Sequence, residues 1–172
     1  MLEIIGKRRS CRKFKSEPID ESKVREIVEA GLNAPSGKGL QTPVIIAISD
    51  RKLRDDLASL NRSFMSNAPQ ALDPFYGAPV VLLVASHREG ISVHDGAAAI
   101  ENMLLEATNQ GLASCWIHRA KEELESDEGR RLLSWTGLNF DDYIGIGHVV
   151  VGYSDGYVAP EKKIRDGRAF YK

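Results

Sequence analysis

The stretch HDGAAAIENMLLEATNQGLASCWI, His94 to Ile117, decides the architecture. Its first part, His94 to Leu112, places Ala97, Ala98, Ile100, Leu104, Leu105 and Ala107 around a broad arc of a helix rather than along one stripe. A helix that is apolar over so wide an arc is covered on most sides, so it sits centrally. Ala113 to Ile117 then form a short apolar run that reads as a buried strand.

Three further runs read as strands: Val44 to Ile48, Pro79 to Ala85 and Ile144 to Val151. The helices lie between them. Leu2 to about Lys7 starts a short one. Asp20 caps the next, with Val24, Ile27, Val28 and Leu32 on one face and an end near Asn33. Asp50 caps another, whose inner face is Leu53, Leu57 and Leu60, and Lys121 to Leu133 reads as a charged, exposed helix. Asn61 to Gly77 has no period and two prolines, so it is read as an active-site or surface loop. Helices alternate with buried strands, which predicts a sheet covered on both faces. The aperiodic tail after Tyr153 does not pack on its own chain by pattern, and it can reach a partner subunit.

Composition narrows the class. The 172 residues, 42% hydrophobic and 27% charged, suit one soluble globular domain, residues 1–172. No stretch approaches the ~20 apolar residues of a membrane helix, and the start is too soon charged for a secretion signal. Cys11 and Cys115 lack CxxC spacing, which argues against a disulfide framework or zinc knuckle and for a reducing, cytoplasmic setting. His87, His94, His118 and His148 lack metal-ligand spacing, so no metal site is expected. No catalytic triad or dyad can be assembled. Cys11 lies near cations but has no identifiable base, and Cys115 reads as inert core.

Against a net charge of −1, the run Lys7 to Lys15 holds six cations in nine residues and no acid. The pattern Arg8-Arg9-Ser10-Cys11-Arg12 suits phosphate oxygens, because guanidinium forks bond them in pairs. A solvated basic stretch or a nucleic-acid arm are the other readings of such a run. Ile4, Ile5 and Phe14 flank it as expected core anchors. A nucleic-acid role is disfavoured by the near-zero net charge and the lack of an aromatic-basic platform. A second basic knot, Lys162-Lys163-Ile164-Arg165, stands near the other end of the sequence, and the two knots are expected to converge on one phosphate.

The loop Ala34-Pro35-Ser36-Gly37-Lys38-Gly39 fails as a P-loop, with Leu32 where a glycine is needed and Gly39 where a hydroxyl residue is needed. It reads either as a plain connection or as a backbone surface for a flat ligand, with Ser36, Lys38 and Gln41 as polar contacts. Gly145, Gly147 and Gly152 have the wrong spacing for a dinucleotide fingerprint and are read as strand punctuation. His118, beside Arg119 and Lys121, makes a positive strand end that can face a ligand.

Taken in order, these pieces resemble the FMN-dependent nitroreductase and flavin reductase family. The resemblance rests on Arg8-Arg9-Ser10-Cys11-Arg12-Lys13-Phe14, on Ala34-Pro35-Ser36-Gly37 with Gln41, and on Gly77 to Val81. It extends through Gly111-Leu112-Ala113-Ser114-Cys115-Trp116-Ile117, Gly152-Tyr153 and Lys163-Ile164-Arg165. It implies an α+β fold with a mixed β-sheet flanked by helices on both faces, formed as an intertwined homodimer. It implies that Arg8, Arg9 and Ser10, joined by Lys163 and Arg165, hold the FMN phosphate and ribityl chain, with Arg12 at the pyrimidine edge. Pro35, Ser36 and Gly37 are implied to reach the flavin from the other subunit, with Gln41 in the same loop. Trp116, Ile117 and His118 are implied to present backbone groups near flavin N5, and no side chain need act as acid or base.

The activity implied is ping-pong transfer of electrons from NADH or NADPH to a nitro compound, quinone or flavin. A non-enzymatic carrier or sensor of FMN or another phosphorylated ligand is the alternative. The sequence departs from the family pattern at Gly39, where the family has asparagine, at Thr42, where it has proline, and at His118-Arg119, whose cations suit an anionic substrate.

Overall fold

The structure, a computed structural model, describes residues 1–88 and 91–172. Strand β2 (Val80–His87) is the axis of the sheet. It pairs antiparallel with β1 (Pro43–Ile48) on one side and with β4 (Tyr143–Gly152) on the other. Strand β3 (Ala113–Ile117) closes the order β1-β2-β4-β3 by pairing antiparallel with β4. Successive residues of β2 point to opposite faces. Val81, Leu83 and Ala85 join a core with Leu57, Phe75, Leu124 and Leu133, while Val80, Leu82 and Val84 join one with Ile27, Ile100, Met103 and Leu104. Both faces are buried, which is why this strand reads as an unbroken apolar run.

The central helix is α4 (Ser92–Asn109), packed between the sheet and α2 (Glu21–Leu32), with Ile100, Met103, Leu104 and Ala107 buried. Both predicted caps are made: Asp20 accepts from the Ser22 N–H at 2.9 Å, and Asp50 from the Leu53 N–H at 2.7 Å at the head of α3 (Arg51–Ser63). The opposite face is covered by α3, α5 (Ala120–Glu125) and α6 (Asp127–Leu132). A short α1 (Glu3–Lys7) leads the chain in.

The α+β class with helices on both faces holds. The four strands pair only antiparallel, and the parallel component is the isolated bridge of Ser10 with Ser114, which lays the N-terminal run along the outer edge of β3. The glycines of β4 are strand punctuation with a physical cause. Register passes from Val84↔Gly147 to Ala85↔Gly145, so Ile146 is the extra residue of a bulge. A methyl on Gly145 would overlap the Ala120 carbonyl, and one on Gly147 the Trp116 indole.

Five expectations need correction. Lys121 to Leu133 is two helices, not one, because Ser126 adopts an extended backbone and caps α6 through the Gly129 N–H at 3.0 Å. Nor is that segment simply exposed: Glu123, Leu124 and Leu133 are buried. The supposed loop 61–77 begins inside α3, which ends at Ser63. Ile5 and Leu32 are exposed, so Phe14, buried at 7%, is the firmer anchor of the run and Ile27 the buried residue of α2's apolar face.

Candidate functional site

The basic run is fixed by its backbone. The Cys11 N–H donates to Ser114 O at 2.9 Å, the Phe14 N–H to Tyr76 O at 3.3 Å, and the Lys15 N–H to Tyr153 O at 2.9 Å. Arg8, Arg9 and Ser10 are half-buried along β3, and Arg12 is exposed. Lys7 pairs with Glu3 and Lys13 with Asp155, but Arg8, Arg9 and Arg12 have no ion pair among the described residues. Elsewhere Arg25, Arg51, Arg54, Arg88, Arg119, Arg130 and Arg131 find carboxylates, while Arg62 bonds the Leu72 carbonyl at 3.0 Å. Arg9 instead donates to the Gly6 and Arg8 carbonyls, and Arg12 to the Tyr157 hydroxyl at 3.3 Å, a bond that holds its guanidinium above the usual range.

Strand β3 adds a hydroxyl to this edge at Ser114, while its Trp116 indole lies over Gly147 of β4. The buried Ser114 hydroxyl and the Trp116 Nε1–H have no hydrogen-bond partner. Buried polar groups almost always find one, and leaving one unmade costs about 1–3 kcal/mol. Ser114 stands opposite Ser10, so the unsatisfied hydroxyl lies where the arginine run meets the strand. The Cys115 thiol is pushed up by burial, against the pull of Arg12 and Ser10, which keeps it a neutral core residue as expected.

At the end of β3, Ile117 is half-buried and His118 is exposed, with its ring 6.2 Å from the Trp116 ring. His118, Arg119 and Lys121 rim an open groove whose apolar lining is Val93, Ile144 and Ile146. Arg119 is left-handed at φ 80° and bonds Glu122 at 3.3 Å. Behind the groove lies a network that the pattern reading missed. Asn61 Nδ2 donates to the His118 carbonyl at 2.9 Å and to Glu123 at 2.6 Å, while His148 Nε2 meets Glu123 at 2.8 Å, with all three side chains buried. The only hint was a histidine between Gly147 and Val149 in an apolar strand, which must find a partner if buried.

Pro35 is exposed, and Ser36 and Gly37 half-buried, in a loop that leads into β1. The Gly37 N–H donates to Asp95 at 2.9 Å and the Gln41 N–H to the Ser36 hydroxyl at 2.9 Å. Since β1 and β3 are opposite edges of the sheet, this loop and the basic run lie apart in one chain. Helix α4 connects the two regions, with Asp95 toward the loop and Val93 in the groove beside His118. Lys163 and Arg165 stand on the exposed tail, and no hydrogen bond or ion pair ties them to the run. One chain therefore lays the run with Arg8, Arg9, Ser10 and Arg12 against β3 at Ser114, on the strand that ends in Trp116, Ile117 and His118, but does not bring the second knot to it. Among the described residues no cluster of His, Cys, Asp or Glu could hold a metal, and no helix is long and apolar enough to cross a membrane.

Comparison with known proteins bears on the same region. A nitroreductase with bound FMN from Bacteroides fragilis superposes with a TM-score of 0.91 at 28% identity, over 99% of this chain and 97% of that one. An FMN-dependent nitroreductase from Clostridium difficile superposes with a TM-score of 0.74 at 26% identity, over 98% and 94%. An NADPH-dependent oxidoreductase of Staphylococcus aureus is 26% identical over 144 residues, 73% of this chain and 55% of its own length. The chain thus spans about half the length of the curated relatives it matches. Residues 5–153 match the profile of the Nitroreductase family, which takes in both the basic run and β3, and the chain belongs to that family.

Proposed function

We propose that this protein is an FMN-dependent oxidoreductase that carries electrons from NADH or NADPH to a nitro compound, quinone or flavin by a ping-pong mechanism. The observation that carries the reading is the edge of β3: three arginines without carboxylates, beside the buried Ser114 hydroxyl without a partner. Such an edge lacks acceptor oxygens, and a phosphorylated ribityl chain is rich in them, so the residues fit FMN. A solved relative with bound FMN and another described as FMN-dependent support the same choice. When bound, FMN supplies the transfer of electrons between donor and acceptor.

The chain's own residues bind and orient. Arg8, Arg9 and Ser10 hold the phosphate end on a backbone fixed by the Ser114 and Tyr76 carbonyls. Arg12, held by its hydrogen bond to Tyr157, would supply positive charge at the pyrimidine edge of a bound flavin. Trp116, Ile117 and His118 offer the strand end to the ring system. Lys163 and Arg165 reach the phosphate, and Pro35, Ser36, Gly37 and Gln41 reach the ring, in a homodimer. Two features support the dimer: the exposed apolar tail residues Val158, Ile164, Phe170 and Tyr171, and the outer edge of β1, which has no strand partner among the described residues.

The purified protein should be yellow, and anaerobic NADH or NADPH should bleach it. Flavin that binds but that neither nicotinamide reduces would favour a carrier, and failure to take up FMN on reconstitution would refute the reading. Light scattering should give a dimer at micromolar concentration, and a folded, active monomer would refute that part.

A further inference from the structure

Asp95 lies in the first turn of α4, 3% exposed, and no cation pairs with it among the described residues. Both of its oxygens are used. The Gly37 N–H donates to Oδ1 at 2.9 Å and the Thr42 hydroxyl to Oδ2 at 3.0 Å, while the Ser86 hydroxyl donates to Thr42 Oγ1 at 2.9 Å. One carboxylate therefore grips both ends of the segment from Gly37 to Thr42. The helix N-terminus is a favourable place for that negative charge.

The segment between the two grips is unfavourable by itself. Lys38 and Gln41 have φ of 56° and 51°, the left-handed region that side-chain-bearing residues avoid, with Gly39 at 68° between them. Such conformations persist only where the surroundings over-determine them. At the near grip, a methyl on Gly37 would lie 2.8 Å from Ile91 Cγ1, so the loop is also pressed against the head of α4. At the far grip stands Thr42, a departure from the family pattern that supplies the second donor.

We propose that Asp95 is a positioning residue: it clamps the Gly37–Thr42 loop at both ends and so sets the surface that Pro35, Ser36 and Gly37 present to the cofactor. The cofactor half of this rests on the FMN reading; the clamp itself does not.

The test uses the full chain. Amide exchange of residues 34–41 is followed by mass spectrometry without cofactor, and FMN affinity is then measured by titration. Asp95→Ala should speed exchange in this segment at least about tenfold and weaken FMN about tenfold to a hundredfold, the scale of hydrogen bonds to a charged group. Asp95→Asn keeps an acceptor for the Gly37 N–H and should restore most of both. Thr42→Val keeps the shape, removes one grip and should fall between. A folded Asp95→Ala with wild-type exchange overturns the clamp. Faster exchange with FMN affinity within about twofold of wild type overturns its role toward the cofactor. Should Asp95→Ala fail to fold, wild-type exchange and affinity in Thr42→Val overturn the proposal instead. A wild-type protein that takes up no FMN refutes the cofactor reading, while the exchange arm still reads the clamp.

Discussion

Replacing Arg8 or Arg165 by Ala tests whether the two basic knots serve one phosphate. Arg8 is half-buried on β3 and has no ion pair among the described residues, so its removal strands no carboxylate. Arg165 is exposed on the tail, so its removal leaves the folded core untouched. Any loss is therefore a loss of binding, and each hydrogen bond to a charged group is worth about 1.5–3 kcal/mol. That is roughly tenfold to over a hundredfold in the FMN dissociation constant. The assay is quenching of FMN fluorescence at about 0.15 M salt, where exposed charges beyond roughly 8 Å are screened. Two groups on one phosphate should depart from additivity in the double variant. Lys52 is the control: it carries the same charge on α3, 84% exposed and paired with Asp56 at 2.6 Å. Lys52→Ala should change FMN affinity by no more than about twofold. An equal loss in Lys52→Ala and Arg8→Ala would mean diffuse attraction, and the shared-phosphate reasoning would fail.

Three further outcomes follow from the packing. Glu123→Ala leaves the buried His148 Nε2 without its partner and Asn61 with only the His118 carbonyl, and should cost about 3–5 kcal/mol, or roughly 6–20 °C in thermal midpoint, with Glu123→Gln losing less. A midpoint within about 2 °C of wild type for Glu123→Ala would contradict the network. Gly145→Ala drives a methyl into the Ala120 carbonyl and should cost about 1–3 kcal/mol in urea unfolding, while shifting Trp116 fluorescence through the 118–120 turn; an unchanged denaturation midpoint counts against the close approach. Acid should destabilise the fold through lowered carboxyls. The Ser22 N–H and hydroxyl hold Asp20 below its usual range; burial works to raise Asp55, but Arg51 and Arg54 overcome it. Folded values below unfolded ones mean stability that is full above the unfolded range near ~4 and lost as pH falls through the folded values. Urea midpoints between pH 6 and 3 should show that fall, and Asp20→Asn should flatten it; an identical slope in the variant would exclude Asp20.

What could be read from the chain divides by the range of the interaction. Apolar runs of strand or helix period gave the four strands and their covering helices, because burial acts on each segment separately. The two caps at Asp20 and Asp50 were legible for the same reason, since their partners lie two and three residues away. The break at Ser126 was missed although its signal is equally local: Ser126 caps the Gly129 N–H three residues on, and a side chain at Gly129 would strike the Glu123 carbonyl. Helical composition on both sides hid it.

The candidate site shows the other limit. The arginine run was legible because cations without nearby acids are visible in a sequence, and the structure leaves those same arginines without ion pairs. Asp95 was not, because its partners are a backbone N–H 58 residues away and a hydroxyl 53 away, and no period marks such a meeting. Glu123 was hidden by its charge, since an acidic residue on a charged helix is normally solvated, and only the fold brings His148 and Asn61 to it. Convergence of the two basic knots lies beyond both. The start of the tail bonds the basic run through Asp155 and Tyr157, but from Val158 onward no hydrogen bond or ion pair ties it to its own chain among the described residues, and it bears exposed Val158, Ile164, Phe170 and Tyr171. An apolar tail with cations spaced along it gains burial only against another surface, so the tail and the second half of the phosphate site stand or fall with the dimer.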